Sequence, residues 1–422
     1  MASFEYLGDS LFAEELSIAD IIAVVGSPCY LYSKRGLSEA FHAFRRALGS
    51  DGSLICYAVK ANGNLAILAI LAELGAGFDI VSQGELERVV AAGGDPARVV
   101  FSGVGKTEAE MRRALTLGIK CFNVESVPEL IRLNVVAESL GVRAPVSLRV
   151  NPDVDARTHP YIATGLKENK FGLPITEAMT LYRQGASFPG LRFVGVDCHI
   201  GSQLTELRPF ADALDRILPE VQALRYAGVT LEHIDVGGGL GIRYRDEQPP
   251  TVQAYVDLLK DRLAAHGLED LGLVLEPGRA LVAASGVLVT RVEYLKETAD
   301  KRFAIVDAGM NDLIRPALYG AWQNMIPVKK RPETGLEYDV VGPVCESADV
   351  LGHKRKLAIE AGDLLAICDA GAYGFAMSSQ YNARPRPPEV LVDATRFDVV
   401  RDRETYQDLM RGERIPSLVD NL

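Results

Sequence analysis

From about residue 54 the chain alternates short apolar runs with amphipathic stretches. The runs, rich in β-branched residues, are 55–59, 77–81, 99–101, 120–124, 146–150, 194–200, 233–236 and 273–275. Between them, segments such as 64–74, 83–92, 107–117 and 127–140 place apolar residues at helical spacing. Strand–helix alternation predicts a parallel sheet, and eight repeats predict its closure into a (β/α)8 barrel. An open doubly wound sheet is the alternative. Its glycine fingerprint belongs after the first strand, whereas the Gly-rich turn here follows the seventh.

Past residue 285 the rhythm changes. Runs at 286–292, 303–306, 338–341, 363–367 and 389–392 read as strands, divided by Gly- and Pro-containing turns. The stretch 28–33 (Pro-Cys-Tyr-Leu-Tyr-Ser) is strand-like, precedes the barrel, and is expected to pair with these later strands. The predicted fold class is therefore α/β plus β. Residues 1–35 form an N-terminal segment joining the β domain, 36–285 the barrel, and 286–422 a C-terminal β-sandwich or β-barrel-like domain.

Composition narrows the function classes. The 422 residues are 48% apolar and 24% charged, enough for a sizeable core. A net charge of −11 argues against a nucleic-acid partner, yet a pocket can still concentrate a few cations around an anionic ligand. Cysteines at 29, 56, 121, 198, 345 and 368 have no C-x-x-C spacing, so a metal site is not expected. Cys56, Cys121, Cys198 and Cys368 sit in apolar runs and read as small buried hydrophobes. The N-terminus carries no signal-peptide pattern and no run approaches a membrane span, so a soluble, cytoplasmic chain with no membrane partner is expected.

Chemistry in a β/α barrel gathers where its strands end. Lys60 follows the first run, Asp79 and Ser82 the second, Ser102 the third, and Asn123 with Glu125 the fourth. Arg149 and Asn151 mark the fifth and His199 the sixth. Gly237, Gly238 and Gly239 end the seventh, and Glu276, Pro277, Gly278 and Arg279 the eighth. Each has a bland reading: a solvated lysine, a structural histidine, a tight glycine turn. Lys60, the glycine turn and Glu276 together compose a sensible pyridoxal 5′-phosphate (PLP) site. A partly desolvated lysine forms the Schiff base, glycine N–H groups surround the phosphate, and a carboxylate pairs with the pyridine nitrogen.

These motifs resemble the fold type III PLP-dependent decarboxylases, which have an alanine-racemase-like barrel, and within them the diaminopimelate decarboxylases. The early motifs are Tyr57-Ala-Val-Lys60-Ala-Asn62, Gly77-Phe-Asp79, His199-Ile-Gly-Ser-Gln203, Asp235-Val-Gly-Gly-Gly-Leu-Gly241 and Glu276-Pro-Gly-Arg279. More specific are the segments 307–319, 342–347 (with Cys345 and Glu346) and 369–374 (with Tyr373). The resemblance implies decarboxylation of meso-2,6-diaminopimelate to L-lysine and carbon dioxide. It implies Lys60, Cys345 and His199 as catalytic residues: the cofactor-bearing lysine, the proton donor and the ring-stacking histidine. It implies cofactor contacts from Ser202, Gly239, Glu276, Gly278, Arg279 and Tyr373. Substrate contacts fall to Arg279, Arg315 and Tyr319 at the distal carboxylate, Glu346 at the distal ammonium, and Tyr373. It further implies a homodimer in which Cys345 and Glu346 serve the partner's site. Segment 158–171 matches the family's active-site loop.

Two positions depart from the family pattern, Gly63 where serine is expected and Ser82-Gln83-Gly84 where two glycines are usual. Neither is a proposed catalytic group. Decarboxylases of ornithine, arginine or carboxynorspermidine share the fold, but ornithine and arginine have no second carboxylate for Arg279 and Arg315. An acylated amino acid is a further substrate to consider. A racemase would favour arginine at the pyridine nitrogen, and Glu276 opposes that. A regulatory protein without activity would be expected to lack Lys60 or Cys345.

Overall fold

The computed structural model describes residues 3–49, 52–154 and 170–416. Residues Met1–Lys34 and Ser285–Leu422 form one compact unit, and Arg35–Ala284 form another. The first opens with a small antiparallel sheet of β1 (Phe4–Leu7), β2 (Ser10–Ala13) and β3 (Leu16–Ser17). A helix, Ile18–Val25, leads to β4 (Cys29–Ser33), which is buried along its whole length.

The second unit is the barrel. Its strands are β5 (Leu54–Ala58), β6 (Gly77–Ile80), β7 (Val99–Phe101), β8 (Cys121–Val124) and β9 (Ala144–Asn151). The two-residue β10 (Leu173–Pro174) follows, then β11 (Leu191–Asp197), β12 (His233–Asp235) and β13 (Gly272–Leu275). β13 pairs with β5 and β8 with β9, so eight parallel strands close on themselves, with β10 added alongside β9. Strands covered on both faces need continuous apolar sequence, as in Leu-Ile-Cys-Tyr-Ala of β5, buried throughout. Inside the ring Leu54, Cys56, Val100, Cys121, Val194 and Val274 form a tight cluster.

Helix starts are set by capping. Thr107 and Glu110 make a reciprocal capping box, and Ser82 and Ser126 accept from the N–H of Glu85 and Glu129. The helix ends at Gly118 and Gly141 turn through left-handed backbone (φ 69° and 67°), which glycine adopts without a Cβ penalty. These short turns aim each strand's C-terminal end at one mouth. Among the described residues no helix is long and apolar enough to cross a membrane.

The chain then returns to the first unit through β14 (Gly286–Glu297), β15 (Arg302–Val306), β16 (Met325–Pro327) and β17 (Leu336–Val341). β18 (Val350–Leu357), β19 (Leu364–Ile367), β20 (Glu389–Asp393) and β21 (Arg396–Arg401) complete it. As expected from 28–33, β4 is inserted between β14 (antiparallel) and β20 (parallel). Leu31, Val287, Val289, Val390 and Val392 share one core with Leu11, Ile18 and Ile21. Truncating Leu31 to alanine there is expected to cost about 2–5 kcal/mol. In this unit the sequence pattern missed β1, β2, β3, β16, β18 and β21. β18 reads Val-Leu-Gly-His-Lys-Arg-Lys-Leu, too charged to signal a strand, and it lies at the end of the sheet path. The buried reading holds for Cys56, Cys121 and Cys198; Cys368 is only partly buried.

Candidate active site at the barrel mouth and the loops of the β unit

Lys60 stands on a one-turn 3-10 helix directly after β5, and its ammonium meets Asp79 Oδ2 at 2.7 Å. Asp79 is fully buried at the end of β6 while Lys60 is 38% exposed, so the cation reaches the mouth and its anion lies beneath it. Asp79 Oδ1 is buried without a hydrogen-bond partner. Glu85, near this pair, accepts from the Val81 N–H at 2.7 Å. Burial pushes its carboxyl up to about 7, the Val81 bond opposing.

Across the mouth stands Glu276, immediately after β13. Its Oε1 accepts from Asn123 Nδ2 at 3.2 Å and Ser102 Oγ at 3.4 Å, and Asn123 also donates to Asp235 Oδ2 at 3.3 Å. Carboxylate oxygens of Asp197, Asp235 and Glu276 lie within 4.8 Å of one another. Desolvated carboxylates this close cannot all ionise. Burial, then neighbouring carboxylates, holds Asp197 and Glu276 well above the ordinary range. Burial likewise raises Asp235 to about 7 against the Gly237 N–H bond. A cationic partner for Glu276 would relieve this crowding.

His199 lies two residues past the end of β11, so strand six ends before its apolar run does. Its Nδ1 accepts the Gly238 N–H at 3.1 Å, which requires Nδ1 to be unprotonated. Burial, then Arg149 and Lys60, lowers the imidazole pKa well below its ordinary value, in agreement with that bond. The glycine run after β12 packs hard against the loop after β11. A Cβ on Gly239 (φ 100°) would lie 2.6 Å from the Gly201 carbonyl, and one on Gly241 2.8 Å from that of Leu204. The tight-turn reading of these glycines is therefore correct as far as it goes. It leaves the Gly239 N–H with no protein acceptor among the described residues. Arg279, buried at the start of a short helix after Gly278, donates to Ser202 Oγ at 3.0 Å and Tyr244 OH at 2.7 Å.

In the β unit, Arg315 opens the helix Arg315–Tyr319 and is buried. Its guanidinium carbon lies 5.7 Å from the Tyr319 ring and 5.9 Å from that of Tyr373, so these three are gathered together. Tyr373 adopts left-handed backbone (φ 57°) in the turn after β19, a conformation rare for an aromatic residue. Asp349 pins segment 342–349 by accepting from Met310 N–H at 2.6 Å and Val344 N–H at 2.7 Å. Cys345 and Glu346 are exposed on that segment. The Cys345 N–H donates to Asn382 Oδ1 at 2.8 Å, and Glu346 Oε1 accepts from Tyr381 OH at 2.5 Å.

A profile described as the pyridoxal binding domain of pyridoxal-dependent decarboxylases matches residues 34–283. A diaminopimelate decarboxylase of Vibrio cholerae serotype O1 is 58% identical over 416 residues, covering 98% of this chain and 99% of its own. The chain belongs to the diaminopimelate decarboxylase family. The crystal structure of diaminopimelate decarboxylase from Helicobacter pylori complexed with L-lysine is 44% identical, with a TM-score of 0.89 over 93% of this chain and 98% of that one. A diaminopimelate decarboxylase from m. jannaschi is 38% identical, with a TM-score of 0.94 over 99% of this chain and 98% of that one.

The family's pyridoxal phosphate fits the barrel mouth on this structure's own features. A lysine stands at the rim, the Gly239 N–H is unengaged beside the loop carrying Ser202, and Glu276 sits among crowded carboxyls that a ring N–H would relieve. Diaminopimelate decarboxylase motifs mark Asp235 without assigning it a role; Asn123 and Glu125 were placed at a strand end without a role, and Tyr244 was missed. The available signal was polar residues inside apolar strands: Asp197 and Asp235 are wholly buried there. Segment 158–171 lies outside the described residues apart from 170 and 171.

Proposed function

We propose that this protein converts meso-2,6-diaminopimelate to L-lysine and carbon dioxide with pyridoxal phosphate, the last step of lysine biosynthesis. The observation that carries the reading is the pairing of Lys60 with Asp79 at one side of the mouth, with Glu276 held by Asn123 and Ser102 at the other. L-lysine bound to the Helicobacter pylori relative supports the product.

The cofactor supplies an electron sink for the pair left behind when carbon dioxide departs. Lys60 would hold the cofactor through its side-chain nitrogen and give way there to the substrate's amine. Asp79 anchors the Lys60 ammonium whenever that amine is unbonded. Glu276 would pair with the ring nitrogen, and neutral His199 would pack against the ring. Ser202, Gly239, Gly278, Arg279 and Tyr373 would bind the rest of the cofactor. Arg315 and Arg279, with Tyr319, hold the distal carboxylate, where a guanidinium's planar fork matches two oxygens. Glu346 receives the distal ammonium. Cys345 delivers its Sγ proton to the carbon that lost carbon dioxide.

The exposure of Cys345 and Glu346 supports a homodimer in which each copy lends this pair to the other's site. The reading places the enzyme in the cytoplasm, whose reducing conditions suit its six free thiols. Arg315→Ala tests the substrate assignment: KM for meso-diaminopimelate should rise steeply, and unchanged kinetics would remove diaminopimelate as substrate.

A further inference from the structure

Two buried charged residues at the barrel mouth, Glu125 and Arg149, have no part in the chemistry above. Glu125 follows β8 and Arg149 lies near the end of β9, with side chains 1% and 8% exposed. A buried ion pair is costly unless its remaining donors and acceptors are satisfied, and here separate strand ends supply the partners. Glu125 Oε1 accepts from Arg149 Nη1 at 2.9 Å and from the Gly103 N–H at 3.1 Å. Its Oε2 accepts from the Gly172 N–H at 3.0 Å. Arg149 Nη2 donates to the His199 carbonyl at 3.3 Å, and its guanidinium carbon lies 4.9 Å from the Phe171 ring centroid.

We propose that Glu125 and Arg149 form a positioning pair for His199, fixing the peptide that carries the imidazole against the cofactor ring. His199 stands beyond the β11 ladder, so strand pairing does not hold it. Gly238 fixes the ring from one side and Arg149 the carbonyl from the other. Glu125 determines where Arg149 points. The competing acceptor is Asp197, whose Oδ2 is 3.9 Å from Arg149 Nε and whose Oδ1 is buried without a partner. Without the Glu125 charge, Arg149 turns toward Asp197 and releases the His199 carbonyl. Glutamine cannot replace Glu125, because its amide oxygen accepts at most two of the three donors and its NH2 would face the third.

The inference rests on His199 being the residue that lies against the cofactor, so the test separates the two ideas. Holoenzymes carrying Glu125→Gln, Arg149→Lys, His199→Ala and each paired with His199→Ala are compared by kcat for diaminopimelate and by the visible circular dichroism of the bound cofactor. Arg149→Lys keeps the charge but loses the fork, and it serves should Glu125→Gln fold poorly. Acting through His199, each single change lowers kcat by about 10–100-fold and alters the cofactor band. The same change made in the His199→Ala background costs less than about twofold and leaves the band as it is. Equal losses in both backgrounds overturn the proposal and leave the pair a fastening of the barrel. A His199→Ala enzyme with wild-type rate and band overturns both the pair's role and the reading of His199.

Discussion

The barrel mouth and segment 342–349 of the β unit solve opposite problems. At the mouth, the groups proposed to hold the cofactor interlock: Asn123 joins Glu276 to Asp235, Gly238 fixes His199, and Asp79 lies wholly buried under Lys60. Donors and acceptors aimed in advance need no reorganisation when charge moves, which is where most electrostatic catalysis arises. Segment 342–349 is firmly pinned from below by Asp349, yet it presents Cys345 and Glu346 to solvent. On the proposed reading, a thiol that protonates carbon and a carboxylate that meets an ammonium gain their effect only when something covers them. The contrast separates groups interlocked within their own unit from groups that, on that reading, a second copy would cover.

Lys60→Ala breaks the prepared side most severely. Steady-state kcat should fall below about 10⁻⁴ of wild type, because the covalent route is lost. The exposed side is broken by Cys345→Ala, expected to reduce kcat by about 10²–10⁴-fold as a proton donor is lost. Its thermal midpoint should be unaltered, since the side chain supports no core. Mixing the two inactive variants sharpens the comparison: shared sites restore up to about a quarter of wild-type activity in random dimers, and self-contained sites restore none. Arg315→Ala should raise KM for diaminopimelate by about 30-fold or more, as an anion loses a bidentate partner, while Arg315→Lys recovers part of it.

The smallest effect concerns pH. Burial pushes the folded-state Asp235 carboxyl up to about 7 from its ordinary 3.8. Between these values the folded state keeps a proton that the unfolded chain releases. The group's stabilising contribution is thus full at low pH and is lost as pH rises toward 7, by about 1.4 kcal/mol per pH unit at most. Asp235→Asn imitates the protonated acid. Its apoprotein should show a shallower fall in melting temperature than wild type between about pH 5 and pH 8; parallel curves would mean that Asp235 is ionised throughout.

Much of the fold was legible because barrel strands are covered on both faces and announce themselves as apolar runs. Each of the eight predicted runs contains or overlaps a barrel strand. The β unit was harder. Strand β18 exposes Lys354 and Lys356 and buries Arg355, and β21 exposes Arg396 and Asp398, so their alternation is masked by charge. Strand ends led directly to Lys60, His199, the glycines and Glu276. They did not reveal which neighbours bind one another, since the Asn123–Glu276 contact joins residues 153 apart in sequence. Cys345, by contrast, came into view only through resemblance: a lone cysteine in a Pro-Val-Cys-Glu-Ser turn has no periodicity to mark it.

Carbon dioxide release and L-lysine formation from meso-diaminopimelate, with pyridoxal phosphate supplied, test the central claim most directly when wild type and Lys60→Ala are run side by side. The account predicts equal amounts of both products from the wild type and neither from the variant. A wild-type protein that binds pyridoxal phosphate and leaves diaminopimelate intact would contradict it.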